Sequence, residues 1–271
     1  MLQSTSIMIP PDLLLRAYRA GIFPMSDSRD DPEIYWVEPR LRAILPLDGF
    51  HCSRSLARTL RRGHFTVTCN EAFDAVIDAC AAPREGAEDS WISQRIRESY
   101  RTLHQLGHAH SIETWITTQG PGGEPVRELV GGLYGVGFGK VFCGESMFSR
   151  RSDASKVALA WLVAALRMAG VTLLDCQFST PHLASMGAVE IPQAEYLALL
   201  GKASRYPVVE SVSPAESSSA GAGATGADGA AGAVGTLPAG FAALLAAAAA
   251  AAAGSSSSPG NFIAQSFTQT S

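Results

Sequence analysis

Three strand-like segments joined by glycine-containing turns dominate the middle of the chain. Residues 110–118, 127–138 and 140–148 are rich in β-branched and aromatic side chains, and short segments with Gly and Pro separate them. This pattern predicts an antiparallel meander. The apolar residues 155–168 then predict a helix, and residues 171–178 predict a buried strand. Together these elements predict an α+β fold with a mixed, mostly antiparallel sheet.

Shorter elements precede the meander. Four segments before the meander have Ser, Asn or Pro at their starts, and several of them have Gly near their ends. Both features are typical of helices. Prolines and glycines in residues 21–50 favour short strands and turns instead. We predict helices at residues 11–20, 53–62, 70–82 and 93–106, and a strand at 64–69.

The composition changes near Ser211. Beyond this position Ala, Gly and Ser dominate, so the apolar fraction of 46% overstates the core. Such a composition buries too little apolar surface to offset chain entropy, and we expect residues 208–271 to form a disordered tail. The alanine run at 242–253 has high helix propensity but no apolar face for docking. It is also too short and too weakly apolar to span a membrane, so we expect no membrane partner.

Charge and cysteine content narrow the function classes. The net charge is −4, and Glu210, Glu216 and Asp228 account for most of it. The rest of the chain is nearly neutral, which neither demands nor excludes a nucleic-acid partner. The five cysteines form no CxxC pair, which disfavours zinc and a disulfide framework. The N-terminus lacks a secretory pattern, so a reducing cytoplasm is favoured.

Two predicted strands carry side chains suited to chemistry. Glu145 follows an apolar strand, where a carboxylate is costly unless it is functional or satisfied by backbone donors. Asp175 and Gln177 are two residues apart, which places both on one face of a strand. An acceptor beside an amide could position an attacking amine and receive its proton. The same pair could instead form a structural hydrogen-bond network within the sheet.

Basic side chains line one side of the helix predicted at 53–62. They are spaced i, i+4, i+7 and i+8, and no acidic residue lies between Asp48 and Glu71. Charge runs usually mark a solvated face, but an arginine stripe without local acids is also suited to phosphate contacts. The stripe consists of Arg54, Arg58, Arg61 and Arg62.

Two further segments allow more than one interpretation. Residues 149–156 carry basic side chains at a helix start, where they could bind phosphate or simply include helix caps. His108 and His110 could both ligate a metal, but no third ligand lies nearby, so a structural role for His110 is favoured. We therefore expect no metal site.

The chain resembles the leucyl/phenylalanyl-tRNA–protein transferases. The resemblance rests on FCGESMFSR, ASK and LLDCQ, together with AYRAGIFP, YWVEPR, HCSRSL, LVGGLYGV and GAVEIP, in the family's order over about residues 10–200. It implies a small N-terminal domain at 1–49 and a GNAT-like acyltransferase domain at 50–207, with the tail at 208–271 outside it.

The resemblance also implies an activity. Enzymes of this family transfer Leu or Phe, and Met less well, from aminoacyl-tRNA to the α-amine of proteins that begin with Arg or Lys. The product carries an N-terminal degradation signal. The expected enzyme is a cytoplasmic monomer that uses no cofactor.

Site residues follow from the same resemblance. Asp175 and Gln177 match a pair proposed to assist attack on the aminoacyl ester, and Glu145 matches a glutamate beside them. Met25 stands where some relatives carry Trp, so a thioether replaces an aromatic contact. The substrate pocket is matched by Trp91, Phe142, Leu133 and Leu162, and the tRNA-binding cluster by Arg54, Arg58, Arg61 and Arg62.

Two other functions remain open. An acyl-CoA-dependent N-acyltransferase usually has a glycine-rich loop for the pyrophosphate, whereas residues 149–156 contain no glycine. A non-catalytic tRNA-binding adaptor would need only the arginine stripe. That role would leave Glu145, Asp175 and Gln177 unexplained.

Overall fold

A seven-stranded sheet forms the centre of the molecule. The computed structural model describes residues 8–83, 89–204, 236–252 and 258–268. Its strands are β1 (Phe23–Met25), β2 (Tyr35–Val37), β3 (Leu41–Ile44), β4 (Thr66–Cys69), β5 (Ala109–Gln119), β6 (Pro125–Phe138), β7 (Val141–Ser149), β8 (Leu173–Gln177) and β9 (Val189–Pro192). The sheet has the order β4-β5-β6-β7-β8-β3-β9, and β1 pairs separately with β2. Neighbouring strands are antiparallel, except that β7 and β8 are parallel.

Helices cover both faces of this sheet. One layer contains α2 (Arg54–Arg62), α5 (Ala154–Met168), α8 (Leu237–Ala252) and α9 (Pro259–Thr268). The other contains α1 (Pro11–Arg19), α3 (Phe73–Ala81), α4 (Gln94–Gln105) and α7 (Gln193–Ser204). A single turn, α6 (Pro181–Ala184), follows β8. The predicted α+β class and the mostly antiparallel sheet are confirmed.

Local capping signals place most helix ends correctly. Ser53 caps α2 through its side chain, and Gly63 ends the helix with φ 63°. Asn70 is the exception, because its side chain accepts the N–H of Ser111 instead of capping a helix. The next helix therefore begins later, at Phe73.

Strand β3 links the N-terminal residues to the main sheet. It lies between β8 and β9 and is antiparallel to both. Residues 41–44, which the predicted division assigns to a separate N-terminal domain, are therefore part of the seven-stranded sheet. The rest of that division stays a prediction.

Helix α5 is apolar on all sides and is enclosed by its neighbours. Twelve of its residues are buried, and α8 and α9 belong to the same hydrophobic cluster. This corrects the expectation of a disordered tail for residues 237–252 and 259–268. Leu237, Phe241 and Leu244 are spaced i, i+4 and i+7, so they form the apolar face that the alanine content obscured. The predicted tail residues 208–235, 253–257 and 269–271 lie outside the described part of the chain.

A helix that crosses a lipid bilayer needs about 20 consecutive, mostly apolar residues. Within the described ranges, no helix is both long and apolar enough to cross a membrane.

Candidate functional site

A cavity opens beyond the point where β7 and β8 stop pairing. Their parallel pairing ends at Cys143 and Asp175, whereas β7 continues to Ser149. Residues from both strands beyond this point border a cavity of about 390 Å³. Its apolar wall includes Phe23, Met25, Trp91, Leu133, Leu159, Leu162, Leu174 and Phe178, and its polar wall includes Glu145 and Gln177.

Glu145 is the extra residue of a β-bulge. In the register of β6 and β7, Tyr134 lies opposite Ser146 and Gly135 lies opposite Gly144, so Glu145 has no partner residue. A bulge disrupts the ladder locally and changes the direction of a side chain. Here the bulged residue borders the cavity.

Two donors hold the Glu145 carboxylate. Tyr100 donates its hydroxyl to Oε2 at 2.9 Å, and Gln177 donates Nε2 to Oε1 at 3.0 Å. The hydroxyl of Tyr18 hydrogen-bonds with that of Tyr100. Burial raises the pKa of Glu145 to about 7, although the tyrosine hydroxyls act in the opposite direction. A carboxyl group that titrates near neutral pH is suited to proton transfer.

Asp175 lies behind the cavity wall. It is fully buried, and its carboxylate accepts hydrogen bonds from Arg42 and Tyr196. The backbone N–H of Gln177 also donates to its Oδ1, at 2.9 Å. Among the described residues that border the cavity, Leu174, Cys176 and Gln177 come from β8, and Asp175 is not included. A direct contact of Asp175 with a substrate in the cavity is therefore not supported.

The backbone of Gln177 explains why strand alternation fails here. Gln177 has φ 56°, in the left-handed region. Its side chain consequently reaches Glu145 on the cavity side instead of sharing the face of Asp175. The prediction that Asp175 and Gln177 share one strand face is wrong.

Most of the predicted pocket residues border the cavity, namely Trp91, Leu133, Leu162 and Met25. Phe142 is a correction, because it is 1% exposed and packs in the core beside Gly135. Its ring borders a separate cleft on the α5 side. Leu159 and Phe178 also border the cavity, although neither is among the predicted site residues. Leu159 lies three residues before Leu162 on α5, so helical spacing could have identified it.

The arginine stripe is exposed along α2. None of its four arginines forms an ion pair within the described part of the chain. The hydroxyl of Thr59, on the same helix, lies 3.4 Å from Oδ2 of Asp153, the residue that immediately precedes α5. This hydrogen bond connects α2, which carries the stripe, with the start of α5, the helix that provides Leu159 and Leu162 to the cavity.

The other two ambiguous segments have structural partners. Ser149 accepts the N–H of Ser155, and Lys156 pairs with Asp153 at 3.0 Å, so residues 149–156 bond to one another at the start of α5. The ring of His110 lies 3.0 Å from the side-chain amide of Asn70. Across the described ranges, no group of three His, Cys, Asp or Glu side chains could hold a metal ion.

Comparisons with known proteins match nearly the whole described core. The profile described as "Leucyl/phenylalanyl-tRNA protein transferase" matches residues 44–201, and its N-terminal domain matches residues 8–40. A protein named leucyl/phenylalanyl-tRNA–protein transferase from Novosphingobium aromaticivorans is 66% identical over 269 residues, with 97% of both chains covered. One of that name from Zymomonas mobilis is 59% identical over 196 residues, covering 72% of this chain and 70% of its own.

Among solved structures, the likeness is remote. The crystal structure of FemX superposes with a TM-score of 0.42 at 13% identity, covering 70% of this chain and 71% of its own. At this level of similarity, nothing about the site follows from the comparison.

Proposed function

Because the chain belongs to the leucyl/phenylalanyl-tRNA–protein transferase family, we propose that it transfers Leu or Phe from aminoacyl-tRNA to the α-amine of a protein. The observation that carries the proposal is the cavity, which joins an apolar wall to Glu145 and Gln177. An aminoacyl ester is already activated. The enzyme therefore needs mainly to orient the two substrates and to handle one proton.

The apolar part of the cavity holds the donor's side chain. Leu133, Leu159 and Leu162 present branched aliphatic groups that suit Leu, Phe and, less well, Met. Such a wall discriminates by only about 1–3 kcal/mol per methylene-sized difference. Trp91, Met25 and Phe178 border the same cavity. We assign these three side chains to the terminal adenosine of the tRNA.

Glu145 receives the acceptor's proton. As the amine nitrogen bonds to the ester carbonyl carbon, it gives a proton to the Glu145 carboxylate. The carbon–oxygen ester bond then breaks, and the protonated Glu145 gives this proton to the ribose oxygen that leaves. Gln177 lies 3.0 Å from Oε1 of Glu145 and orients both the carboxylate and the ester. The negative charge of Glu145 also favours acceptors that begin with Arg or Lys.

The arginine stripe binds the acceptor arm of the tRNA. Four exposed guanidinium groups on α2 provide contacts to phosphates that do not depend on sequence. The acyltransferase domain is GNAT-like. The enzyme acts as a monomer in the cytoplasm. The residue that it adds to the protein's N-terminus is a degradation signal.

One transfer assay tests the proposal against its two alternatives. Radiolabelled Leu-tRNA is mixed with the full-length protein and two peptides that differ only in an N-terminal Arg or Ala, without CoA. Label on the Arg peptide supports the transferase. If the protein binds the tRNA but transfers no label, a tRNA-binding adaptor replaces it. A parallel reaction contains a labelled acyl-CoA in place of the tRNA. If the peptides are labelled only in that reaction, the N-acyltransferase replaces the transferase.

A further inference from the structure

A buried arginine from β3 binds the carboxylate of Asp175. Arg42 is 1% exposed. It donates from Nε to Oδ1 at 2.9 Å and from Nη2 to Oδ2 at 2.6 Å, and Nη1 donates to the carbonyl of Gly21 at 3.1 Å. Such a bidentate pair fixes the carboxylate in direction as well as in position.

Aromatic rings fix the guanidinium in turn. Cζ of Arg42 lies 4.7 Å from the ring centroid of Phe23 and 4.5 Å from that of Tyr196. The hydroxyl of Tyr196 also donates to Oδ2 of Asp175, at 3.0 Å. Tyr196 thus contacts both members of the ion pair.

These donors leave Asp175 no role as a proton acceptor. Oδ1 accepts from Arg42 and from the N–H of Gln177, and Oδ2 accepts from Arg42 and Tyr196. The carboxylate is also fully buried and forms an ion pair with Arg42.

The contact with the N–H of Gln177 connects this cluster to the cavity. Non-glycine residues rarely adopt the left-handed region, because Cβ comes too close to the following carbonyl oxygen. At φ 56° the N–H of Gln177 donates to Asp175, while its side chain donates to Glu145. The position of the Asp175 carboxylate therefore determines where the Gln177 amide lies.

We propose that Arg42 and Tyr196 are positioning residues of the transfer reaction. They hold Asp175, and Asp175 holds the left-handed backbone that directs Gln177 onto Glu145. This inference rests on the proposed transferase activity. It differs from two simpler roles, in which the ion pair only stabilises the fold or Asp175 itself removes the proton.

Two conservative variants test the inference in the full-length protein. Tyr196→Phe removes one donor to Oδ2, and Arg42→Lys removes the bidentate geometry but keeps the charge. Arg101→Lys is the matched control, because Arg101 also pairs with carboxylates but lies on the exposed side of α4. The assay measures kcat and KM for each substrate across pH, and thermal unfolding is measured in parallel.

We expect both variants to fold and to lose turnover. A displacement of about 1 Å costs roughly 100-fold in rate, so Arg42→Lys is expected to lower kcat by about that factor and Tyr196→Phe by about tenfold. Both KM values and the pH at half-maximal kcat should match the wild type. If Arg42→Lys does not fold, Tyr196→Phe decides alone.

Three results would overturn the inference. A wild-type kcat in the folded variants would leave the ion pair a purely structural role. A changed pH midpoint in Tyr196→Phe would show that the cluster takes part in proton transfer. A wild-type protein without transfer activity would remove the proposed function as well, so the two failures are distinguishable.

Discussion

At the scale of single residues, the proposed role of Glu145 as proton acceptor can be tested directly through the pH dependence of the reaction. Its pKa of about 7 means that the carboxylate forms as the pH rises through neutrality. We expect kcat of the wild type to rise through that range. Glu145→Gln should lower kcat by roughly 100-fold or more, because general bases contribute on that order, and should flatten the rise.

The acceptor's own amine complicates this profile, since α-amines titrate at about 7.7–8.0. Comparing variant and wild type on the same saturating peptide isolates Glu145. Glu195→Gln on the exposed side of α7 is the control. An unaltered pH rise in Glu145→Gln would assign the titration to the peptide and not to the enzyme.

Leu162 tests the size of the donor pocket. It is 1% exposed and borders the cavity, so Leu162→Ala should enlarge the space for the donor's side chain. We expect kcat/KM for Phe-tRNA relative to Leu-tRNA to increase several-fold. Leu166→Ala, one turn later on α5, borders a different cleft and is the control. Both variants should lose about 2–5 kcal/mol of unfolding free energy, but an equal change of donor preference would contradict the pocket assignment.

The sequence predicts which residues belong to the site better than it predicts the orientation of their side chains. Glu145 and Gln177 were identified as polar groups at strand ends, and both border the cavity. The orientation of Asp175 was not predictable, because it depends on Arg42, 133 positions away, and on a positive φ at Gln177. The bulge at Glu145 depends on its pairing with β6, which alternation within one strand does not reveal.

At the scale of elements, α2 presents the arginine stripe as a unit. Replacing Arg54, Arg58, Arg61 and Arg62 by Ala should raise KM for aminoacyl-tRNA and leave kcat at saturation nearly unchanged. Each lost phosphate contact should also reduce the salt dependence of tRNA binding by about 0.7–0.9 in the log–log slope. Binding is measured by filter retention from low to high salt.

The control for the stripe is Arg101→Ala on α4, where the arginine pairs with Asp74 and Asp78 on the opposite helix layer. Equal salt slopes for the fourfold variant and the wild type would remove α2 from the tRNA-binding surface.

Element positions were largely predictable because helix caps and strand periods are local signals. Ser53 and Gly63 mark the ends of α2 in the sequence and in the structure. The place of β3 was not predictable in the same way. Its four residues pair with β8 and β9, which lie more than a hundred residues later, and no local pattern specifies that insertion.

At the scale of the whole molecule, α5 is buried partly by α8 and α9, two helices that the alanine-rich composition of the tail does not indicate. A helix that is apolar all round must be buried on every side. The sheet covers one side of α5, and α8 and α9 pack in the same cluster. The apolar side chains of the tail were overlooked because alanine dominates the averages, although Phe241, Ile263 and Phe267 are all buried.

The packing of α8 and α9 against the rest of the molecule can be tested by substituting glycines at which two helices come close together. A Cβ at Gly240 in α8 would overlap the carbonyl oxygen of Ala165, and one at Gly260 in α9 would overlap that of Leu60. A Cβ at Gly201 in α7 would meet nothing within 4 Å. Alanine is otherwise the better helix former, by about 1 kcal/mol.

We therefore expect opposite effects from one kind of substitution. Gly201→Ala should raise the free energy of unfolding by about 0.5–1 kcal/mol, because only helix propensity changes. Gly240→Ala and Gly260→Ala should lower it by about 1–3 kcal/mol, because the backbones must separate. Denaturant unfolding with unchanged m-values measures all three. Stabilisation by Gly240→Ala would mean that α8 does not pack on α5, and stabilisation by Gly260→Ala would mean that α9 does not pack on α2.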